Sequence, residues 1–491
     1  MGLTWWLITL VFGGFILLVI WWKHFTREGS DTIPVAPGDW PLIGHIPLLI
    51  NQKKFRKLCD QWHKEYNGTF AFYLLTNKIV VTSNLEVIEA YLSSPKYITK
   101  APLLYSMLKA LVGNGVFASD GVLWKQRRRM LTPAFHFDIL AGFAPIVEKN
   151  VSQMINVFRK FSKSQSEFNV YEIAKSFAIA VICETSMGKH ITFGDGVEKE
   201  ELKCLFEQGT ELMMKRFYRP WLYNDWFYSL TADGRLFIRQ RDILRCMVRE
   251  IIEERITYRE KCTEVETKQK IFIDILLDCY ERGEIDVEGI IDEIGGMLFA
   301  GYETTASALS FVLYCLGRNQ KAQKKLFDEI TSFEKKGNLE LSDLKELKYL
   351  DMVIKETMRL HVTVNAFQRD IKEGTVLAGH VFPECWLSID LRIVNHNPKY
   401  WKDPMSFIPE RFENFDERKK EKAFMFIPFS AGPRNCVGQR FAMMELRIAL
   451  FYLVKNFKVT SLQEENELEQ TFEAANTSLN GLMLKIDERV V

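Results

Sequence analysis

One cysteine near the C-terminus has the sequence surroundings of a metal ligand. Cys436 lies between Gly432 and Gly438, immediately before an apolar helical pattern that begins near Val437. Glycine permits tight turns and close approach of the backbone. A helix N-terminus directs free N–H groups and its positive end back toward the sulfur, and Arg434 adds a full positive charge nearby. Both effects favour the thiolate, the form of cysteine that binds metal ions. The alternative is a small buried hydrophobic residue, as most free cysteines are.

A second candidate segment lies upstream, in a proline-free stretch from Asp286 to Arg318 that predicts one long helix. Ala300 and Gly301 form a small-residue step there, followed by Glu303 and Thr304. Glycine inside a helix lowers its stability by about 0.5–1 kcal/mol relative to alanine, so its presence at this position calls for an explanation. One reason is close passage over a flat cofactor, beside an acid and a hydroxyl that relay protons. The alternative is a small-residue contact with another helix, with the threonine bonded to its own helix.

Two further pairs share a face of a predicted helix. Glu356 and Arg359 are three residues apart, and Trp124 and Arg128 are four apart, so the members of each pair are neighbours. Arginine suits the binding of carboxylates because its planar fork makes two parallel hydrogen bonds. Three more cations flank the second pair and are either solvated or a basic surface for an acidic redox partner: Lys125, Arg127 and Arg129.

These strings together resemble the motifs of the cytochrome P450 superfamily. The stretch from Phe429 to Ala442 is similar to its haem-binding loop, Phe-x-x-Gly-x-Arg-x-Cys-x-Gly, with every fixed position filled. Ala-Gly-x-Glu-Thr-Thr from Ala300 resembles its oxygen-activation segment, and Trp-x-x-x-Arg resembles the helix that grips the haem propionates. Glu-x-x-Arg, with Arg411 in a later Pro-Glu-Arg-Phe string, resembles the network that supports the cysteine loop.

The resemblance also implies which residues bind the cofactor and which deliver protons. Cys436 is expected to be the axial ligand and the only iron ligand from the protein, with Glu303 and Thr304 serving proton delivery. The cofactor is expected to be haem b, whose propionates are held by four residues: Trp124, Arg128, Arg369 and Arg434.

The chain is most similar to the family 4 branch, including an insect-like family 4 clan, whose better-known members hydroxylate fatty acids at chain ends. Two positions differ from that branch. Ala300 stands where the branch often has glutamate, and His361-Val362 stands where it usually has Tyr-Pro. Since alanine has no carboxylate that could form an ester with a haem methyl, the haem is expected to be bound non-covalently.

The N-terminus predicts a membrane anchor. Leu3 to Trp22 carries no charge and is long enough to cross a bilayer as a helix. Lys23, His24 and Arg27 follow it, which places the C-terminal side in the cytosol. A cleaved signal peptide fits less well, because no charged segment precedes the run and no small-residue cleavage site ends it. We therefore expect an anchor over residues 1–30, a proline-rich linker, and one catalytic domain over residues 31–491, attached to the endoplasmic reticulum membrane.

Composition limits the classes of partner. The formal net charge of +1 implies no attraction to nucleic acid, and nine cysteines without a disulfide-like spacing read as reduced thiols. Residues 217–228 hold eight aromatic or leucine side chains, which either cover a substrate entrance, touch the membrane lipid or form an ordinary packed cluster.

The expected fold is therefore mainly α with a minor β subdomain, the cytochrome P450 fold, preceded by one transmembrane helix. The expected function is insertion of one oxygen atom of O2 into a lipophilic small molecule. No flavin or nicotinamide motif is visible, so electrons are expected from an NADPH–cytochrome P450 reductase, with cytochrome b5 as a second candidate donor. The alternatives are a haem-thiolate isomerase or dehydratase, and a non-catalytic haem-binding protein.

Overall fold

The structure, a computed structural model, describes residues 2–27, 33–40, 43–191, 197–261, 270–333, 341–416, 419, 422–470 and 475–489. Helices make up most of it, and the strands form three small sheets, as predicted for a mainly α fold with a minor β part.

The α-helices in chain order are α1 Gly2–Arg27, α2 Ile46–Leu49, α3 Gln52–Glu65, α4 Leu85–Leu92, α5 Pro102–Val112, α6 Gly121–Leu131, α7 Phe137–Ser164, α8 Val170–Met187, α9 Val197–Phe217, α10 Asp225–Ser229, α11 Ala232–Lys261, α12 Phe272–Glu281, α13 Val287–Arg318, α14 Gln320–Ser332, α15 Lys348–Leu360, α16 Leu391–Asn395 and α17 Gln439–Asn456. The strands are β1 Thr69–Leu74, β2 Asn77–Thr82, β3 Phe168–Asn169, β4 Ala366–Ile371, β5 Thr375–Leu377, β6 His380–Phe382, β7 Cys385–Asp390, β8 Phe457–Ser461 and β9 Met483–Glu488.

The largest sheet has the order β1-β2-β7-β4, in which β2 and β7 run parallel and the other neighbours run antiparallel. The second sheet, β3-β9-β8, joins the start of α8 to the end of the chain, and β5 with β6 forms a small hairpin. Arg369 on β4 lies in the first sheet, which therefore contributes a cation to the site described below.

The long helix α13 forms the centre of the core, and its prediction is confirmed. Asp286 caps it, because the Asp286 carboxylate accepts the Gly289 N–H at 2.8 Å. From Thr305 to Gly317 every residue of the helix is buried, and the helix as a whole packs mainly against α8 and β8. A helix that is apolar on all sides in this way belongs in the interior of a large domain.

The N-terminal segment forms α1, with exposed apolar side chains such as Trp5, Phe12 and Leu17. Among the described residues, no single helix has both the length and the hydropathy of a membrane span, whereas one bent pair, Gly121–Phe135 with Phe137–Ser164, meets those two criteria. Met1 and residues 28–30 of the predicted anchor, and Pro41 and Leu42 of the linker, lie outside the described residues. The transmembrane anchor stays a prediction.

The aromatic segment at 217–228 contains both buried and exposed side chains. Leu222 and Tyr228 are buried in the core, whereas Trp221, Trp226 and Phe227 are exposed. The segment is therefore partly a packed cluster and partly an apolar surface.

Candidate active site

The cysteine loop is fixed mainly by backbone contacts. The Cys436 N–H donates to the Phe429 carbonyl at 2.8 Å. Helix α17 begins at Gln439, two residues later than predicted, with Gly438 as its N-cap. The backbone N–H groups of Gly438 and Gln439 lie near the sulfur and lower the pKa of its thiol. The prediction that a helix N-terminus faces the sulfur is therefore confirmed.

The two glycines of the loop have different roles. Gly432 has φ +70°, and a Cβ there would lie 1.8 Å from the Leu92 carbonyl oxygen at the end of α4. Gly438 has an ordinary φ of −84°, and a Cβ there would lie 3.9 Å from the Cys436 sulfur, a normal contact. The strict steric need for glycine is thus the packing of the loop against α4.

The prediction that Arg434 acts on the sulfur is wrong. Cys436 is exposed, yet desolvation by the surrounding protein raises the pKa of its thiol, and the N–H groups of Gly438 and Gln439 and the charge of Arg128 oppose that rise. Arg434 instead donates to the Ile98 carbonyl at 3.1 Å and to the Ser119 carbonyl at 2.6 Å. Coordination to a metal ion deprotonates a thiol outright, so the thiolate does not depend on Arg434.

Arg128 and Trp124 of α6 both lie against the cysteine loop. Arg128 donates to the Asn435 carbonyl at 2.7 Å and to its side-chain oxygen at 2.5 Å. The Trp124 ring is buried, with the Arg434 guanidinium 4.4 Å from its centroid. The structure therefore brings these predicted cofactor-binding residues together beside Cys436.

A buried cluster of cations lies next to this loop. Lys100, Arg369 and Arg434 are close enough that burial first, and then the two arginines, hold the pKa of Lys100 well below its usual range. Asp120 is the carboxylate that opposes this effect, and it pairs with Arg434 at 2.5 Å. Arg369 and Arg434 alone outnumber the single carboxylate of Asp120, so the cluster keeps an excess of positive charge, and buried charge is costly unless it is paired.

One atom of the cluster also lacks a partner. The Nη1 atom of Arg434 is buried and has no hydrogen-bond partner among the described residues. A dianion with two carboxylates, such as haem, matches both the charge excess and the unpaired guanidinium nitrogen. The residues present therefore fit a haem: Cys436 would hold its iron, and the cation cluster would hold its propionates. Sequence reasoning missed Lys100, because Lys-Ala-Pro at 100–102 has no motif.

One of the two roles left open for the small-residue step of α13, contact with another helix, applies to Gly301. A Cβ at Gly301 would lie 2.8 Å from Ile182 of α8, so this glycine permits close contact between two helices. Thr304 donates to the Ala300 carbonyl at 2.6 Å, and both residues are half-buried on one helix face. The role in helix contact, left open from the sequence, thus applies to Gly301, whereas Ala300 and Thr304 share another face.

A buried acid that the sequence did not indicate lies behind this turn. Glu445 of α17 is 1% exposed and accepts the Thr305 hydroxyl at 3.2 Å. Burial raises the pKa of Glu445 well above its usual range, and its second oxygen has no hydrogen-bond partner among the described residues. Glu303 is half-buried on the same turn of α13.

The supporting network has the predicted geometry. The buried Arg359 guanidinium binds both carboxylate oxygens of Glu356, at 2.8 and 2.9 Å, and Arg411 reaches the same carboxylate at 3.1 Å. Arg359 also donates to the carbonyls of Asn395 and Pro404. A buried ion pair holds its place only when its remaining donors are satisfied, as they are here.

The chain belongs to the cytochrome P450 family, since the family model Cytochrome P450 matches residues 34–485. It is 31% identical to Cytochrome P450 4V2 of Rattus norvegicus over 476 residues, covering 93% of this chain and 90% of that protein. It is 29% identical to Cytochrome P450 4c21 of Blattella germanica over 473 residues, covering 93% of each. It is 31% identical to Cytochrome P450 4e2 of Drosophila melanogaster over 449 residues, covering 88% of this chain and 84% of that protein.

These relatives are family 4 cytochromes P450, so the branch indicated by the sequence is confirmed. Family membership makes the protein an oxidoreductase of the monooxygenase class that binds haem b through a cysteine thiolate. The isomerase, dehydratase and carrier alternatives are not favoured.

Proposed function

We propose that the protein inserts one oxygen atom of O2 into a lipophilic small molecule, using electrons from an NADPH–cytochrome P450 reductase. One observation carries this proposal. Cys436 lies beside the cluster of Lys100, Arg369 and Arg434, whose positive charge exceeds the negative charge of the one carboxylate nearby, Asp120. That combination provides a thiolate for the iron and cations for the propionates of one haem.

In this proposal Cys436 is the axial ligand, and the propionates bind Trp124, Arg128, Arg369 and Arg434 with Lys100 as a further contact. When bound, the haem supplies the oxidising chemistry, and thiolate ligation favours cleavage of the O–O bond. The protein holds the cofactor and substrate in place and excludes water. The haem is non-covalent, because the methyl group of Ala300 offers no carboxylate for attachment.

Glu303 and Thr304 deliver protons. The Thr304 hydroxyl donates to the Ala300 carbonyl, which leaves its oxygen free to accept a hydrogen bond from water. A half-buried acid one residue earlier supplies protons to that water.

The substrate is lipophilic because the walls beside the Ala300 turn are apolar. Phe299, the residue before Ala300, belongs to a buried apolar cluster of side chains from α5, α9, α10, α11 and α13 that includes Met107, Leu111, Met213 and Phe237. Such a wall favours hydrocarbon substrates, since burial of apolar surface is worth about 25 cal/mol per Å2.

The reductase docks on exposed cations near the cysteine loop, and cytochrome b5 is a second candidate donor for the same surface. Lys125 and Arg129 of α6 and Arg440 of α17 are exposed. Arg127, predicted for this surface, is instead mostly buried, 3.8 Å from Glu293. Exposed cations mainly increase the rate of association with an acidic partner.

Helix α1 anchors the protein in the endoplasmic reticulum membrane, with a single catalytic domain over residues 31–491 in the cytosol. Trp221, Trp226 and Phe227 make a second contact with the bilayer, because exposed tryptophan suits the membrane interface. Removal of residues 1–27 is expected to weaken membrane attachment and to spare haem binding. Loss of the folded haem-containing protein on truncation would contradict this separation.

The test uses purified haem-loaded protein, NADPH, reductase and a panel of fatty acids, hormones, odorants and xenobiotics under labelled 18O2. The proposal expects at least one product carrying one 18O atom, formed only with NADPH and reductase. Conversion of a substrate without O2 or NADPH would instead indicate an isomerase or dehydratase.

A further inference from the structure

The loop between α5 and α6 is held at both ends by side chains from distant parts of the chain. At its start, Glu293 of α13 accepts the Val116 N–H with both carboxylate oxygens at 3.0 Å. At its end, Arg434 of the cysteine loop donates to the Ser119 carbonyl at 2.6 Å. The loop thus spans the distance from α13 to the cysteine loop, and Phe117 lies between its two anchors.

The backbone of this loop lies directly on α13. Gly113 has φ +83°, and a Cβ there would lie 2.0 Å from the Asp292 carboxylate. The same carboxylate accepts the Asn114 N–H at 2.8 Å. On the helix side, a Cβ at Gly295 would lie 3.1 Å from the Val112 carbonyl oxygen. Glycines on both surfaces therefore permit a backbone contact that the acids of α13 complete.

Phe117 lies at the edge of the proposed haem site. Its ring is 5.5 Å from that of Phe299, the residue that precedes Ala300. Gly296 of α13 lies beside it, since a Cβ there would lie 3.7 Å from the Phe117 Cβ, an ordinary contact. On its other side, the Lys100 ammonium is 5.3 Å from the Phe117 ring. Phe117 is therefore placed between the Ala300 turn and the cation cluster.

Glu293 is a buried acid with a defined set of charged neighbours. Its side chain is 1% exposed, and Arg127 of α6 approaches it at 3.8 Å. Burial raises the pKa of Glu293 to about 7, opposed by the Val116 N–H and Arg127 and assisted by Asp292 of its own helix. The acid therefore changes charge near neutral pH while it holds the loop.

We propose that Glu293 is a positioning residue for substrate: through Val116 it holds Phe117 as an aromatic wall that selects ligands with a bulky apolar group beside the haem. The proposal rests on the proposed function. Ionised Glu293 pairs with Arg127 and accepts from the loop with both oxygens. Protonation of Glu293 removes its charge, which weakens its hold on Val116 and therefore on the Phe117 ring.

The test measures binding of two neutral probes to the haem-loaded protein, followed by the absorbance change when a triazole nitrogen binds the iron. The probes are 1-benzyl-1,2,4-triazole and the tailless control 1-methyl-1,2,4-triazole, and the quantity compared is the ratio of their Kd values. Glu293→Ala should lower the preference for the benzyl probe on the order of tenfold, because a buried hydrogen bond to a charged group is lost. Binding of the methyl probe should stay unchanged.

Three further variants separate positioning from general stability. Glu293→Gln keeps one acceptor oxygen but carries no charge, so its preference should match that of the wild type at low pH and lie between those of the ionised wild type and Glu293→Ala. Glu288→Gln is the matched control, because Glu288 lies on the same helix, pairs with Arg245 and Arg249 of α11, and should not alter the preference. Phe117→Ala should remove most of the preference, and adding Glu293→Ala to it should remove little more, since both act on one wall.

The pH dependence provides a second readout, since both triazoles stay neutral across the range. In the wild type the benzyl preference should fall as the pH is lowered through about 7, the pKa of Glu293, and in Glu293→Gln it should stay constant. An unchanged preference in Glu293→Ala, an equal loss for both probes, or the same pH slope in Glu293→Gln would overturn the proposal. If Glu293→Ala fails to load haem, the glutamine variant and its pH profile decide.

These measurements need neither reductase nor turnover. A protein that discriminates the triazoles as described but yields no 18O-labelled product would contradict the proposed function alone. A protein that makes labelled product without the expected discrimination would contradict the role of Glu293 alone.

Discussion

The cysteine loop and the Ala300 turn of α13 belong to the same proposed site, yet they are positioned by different kinds of contact. In the loop, backbone groups make most of the contacts. The Cys436 N–H donates to the Phe429 carbonyl, and Gly432 packs against the Leu92 carbonyl. Around the turn, side chains from other elements act instead, such as Ile182 against Gly301 and Glu445 with Thr305.

This difference has a physical consequence for tolerance to change. Backbone contacts depend on conformation and close approach, so a single added methyl group disrupts them. Side-chain contacts depend on the identity of the partners and can be exchanged one at a time. We therefore expect changes in the loop to affect folding and haem loading, and changes around the turn to affect chemistry and ligand choice.

The largest effect is expected from Gly432→Ala. The substitution places a Cβ 1.8 Å from the Leu92 carbonyl at φ +70°, so it should cost more than about 3 kcal/mol of unfolding free energy. Gly438→Ala is the matched control, since its Cβ makes an ordinary contact, and it should cost about 1 kcal/mol or less. Denaturant unfolding of both variants checks this, and similar losses would remove the distinction between the two glycines.

Thr304→Ala tests the turn itself. The variant should load haem normally but release electrons as hydrogen peroxide, with product per NADPH lowered at least about tenfold, because a proton-relay group is lost. Thr305→Val is the contrasting neighbour: it removes the donor to Glu445 and should cost about 1–3 kcal/mol of stability while leaving product yield intact. Product and peroxide are measured against NADPH consumed. Unchanged yield in Thr304→Ala would exclude the relay.

Glu445 gives the stability of the protein a pH dependence. Because its folded pKa is raised well above the ordinary value of 4.5, the folded state keeps a proton that the unfolded state releases above that pH. Stability from this group is therefore full below about pH 4.5 and falls as the pH rises toward the folded pKa. Glu445→Gln should flatten that slope. Unfolding free energies of both proteins from about pH 5 to 8 provide the measurement, and parallel curves would contradict it.

The smallest effect is expected at Ala300, where the prediction is the absence of a bond. Acid and organic solvent should extract all of the haem, and the denatured chain should have the mass of the bare polypeptide. Ala300→Glu is the converse variant, which gains a carboxylate at the turn and is expected to acquire partial covalent haem during turnover. A mass increase equal to haem in the wild type would indicate attachment through another residue.

The sequence predicted best those parts of the site that depend on local backbone or neighbouring helix positions. The cysteine loop, the α13 helix and the ion pair of Glu356 with Arg359 follow from spacing and motif alone, and all appear in the structure. Each of these features involves residues that are close together in the chain, so the spacing in the sequence is enough to predict their relative positions.

The features that were missed all depend on long-range contacts. Glu293 reaches a loop 177 residues away, and Lys100 meets cations from two other elements. Arg127 turned out to be buried, and Arg434 faces the α5–α6 loop instead of the sulfur. A local sequence pattern does not indicate which residue a charged side chain will pair with, because that residue depends on how separate helices pack together.

The identity of the iron ligand is the central claim. The reduced haem-loaded protein with carbon monoxide should show the red-shifted Soret band of a thiolate-ligated haem, and Cys436→Ala should lose that band. Cys183→Ala is a matched control, since this buried cysteine of α8 belongs to the core, and it should keep the band. A red-shifted band that survives in Cys436→Ala would contradict the account.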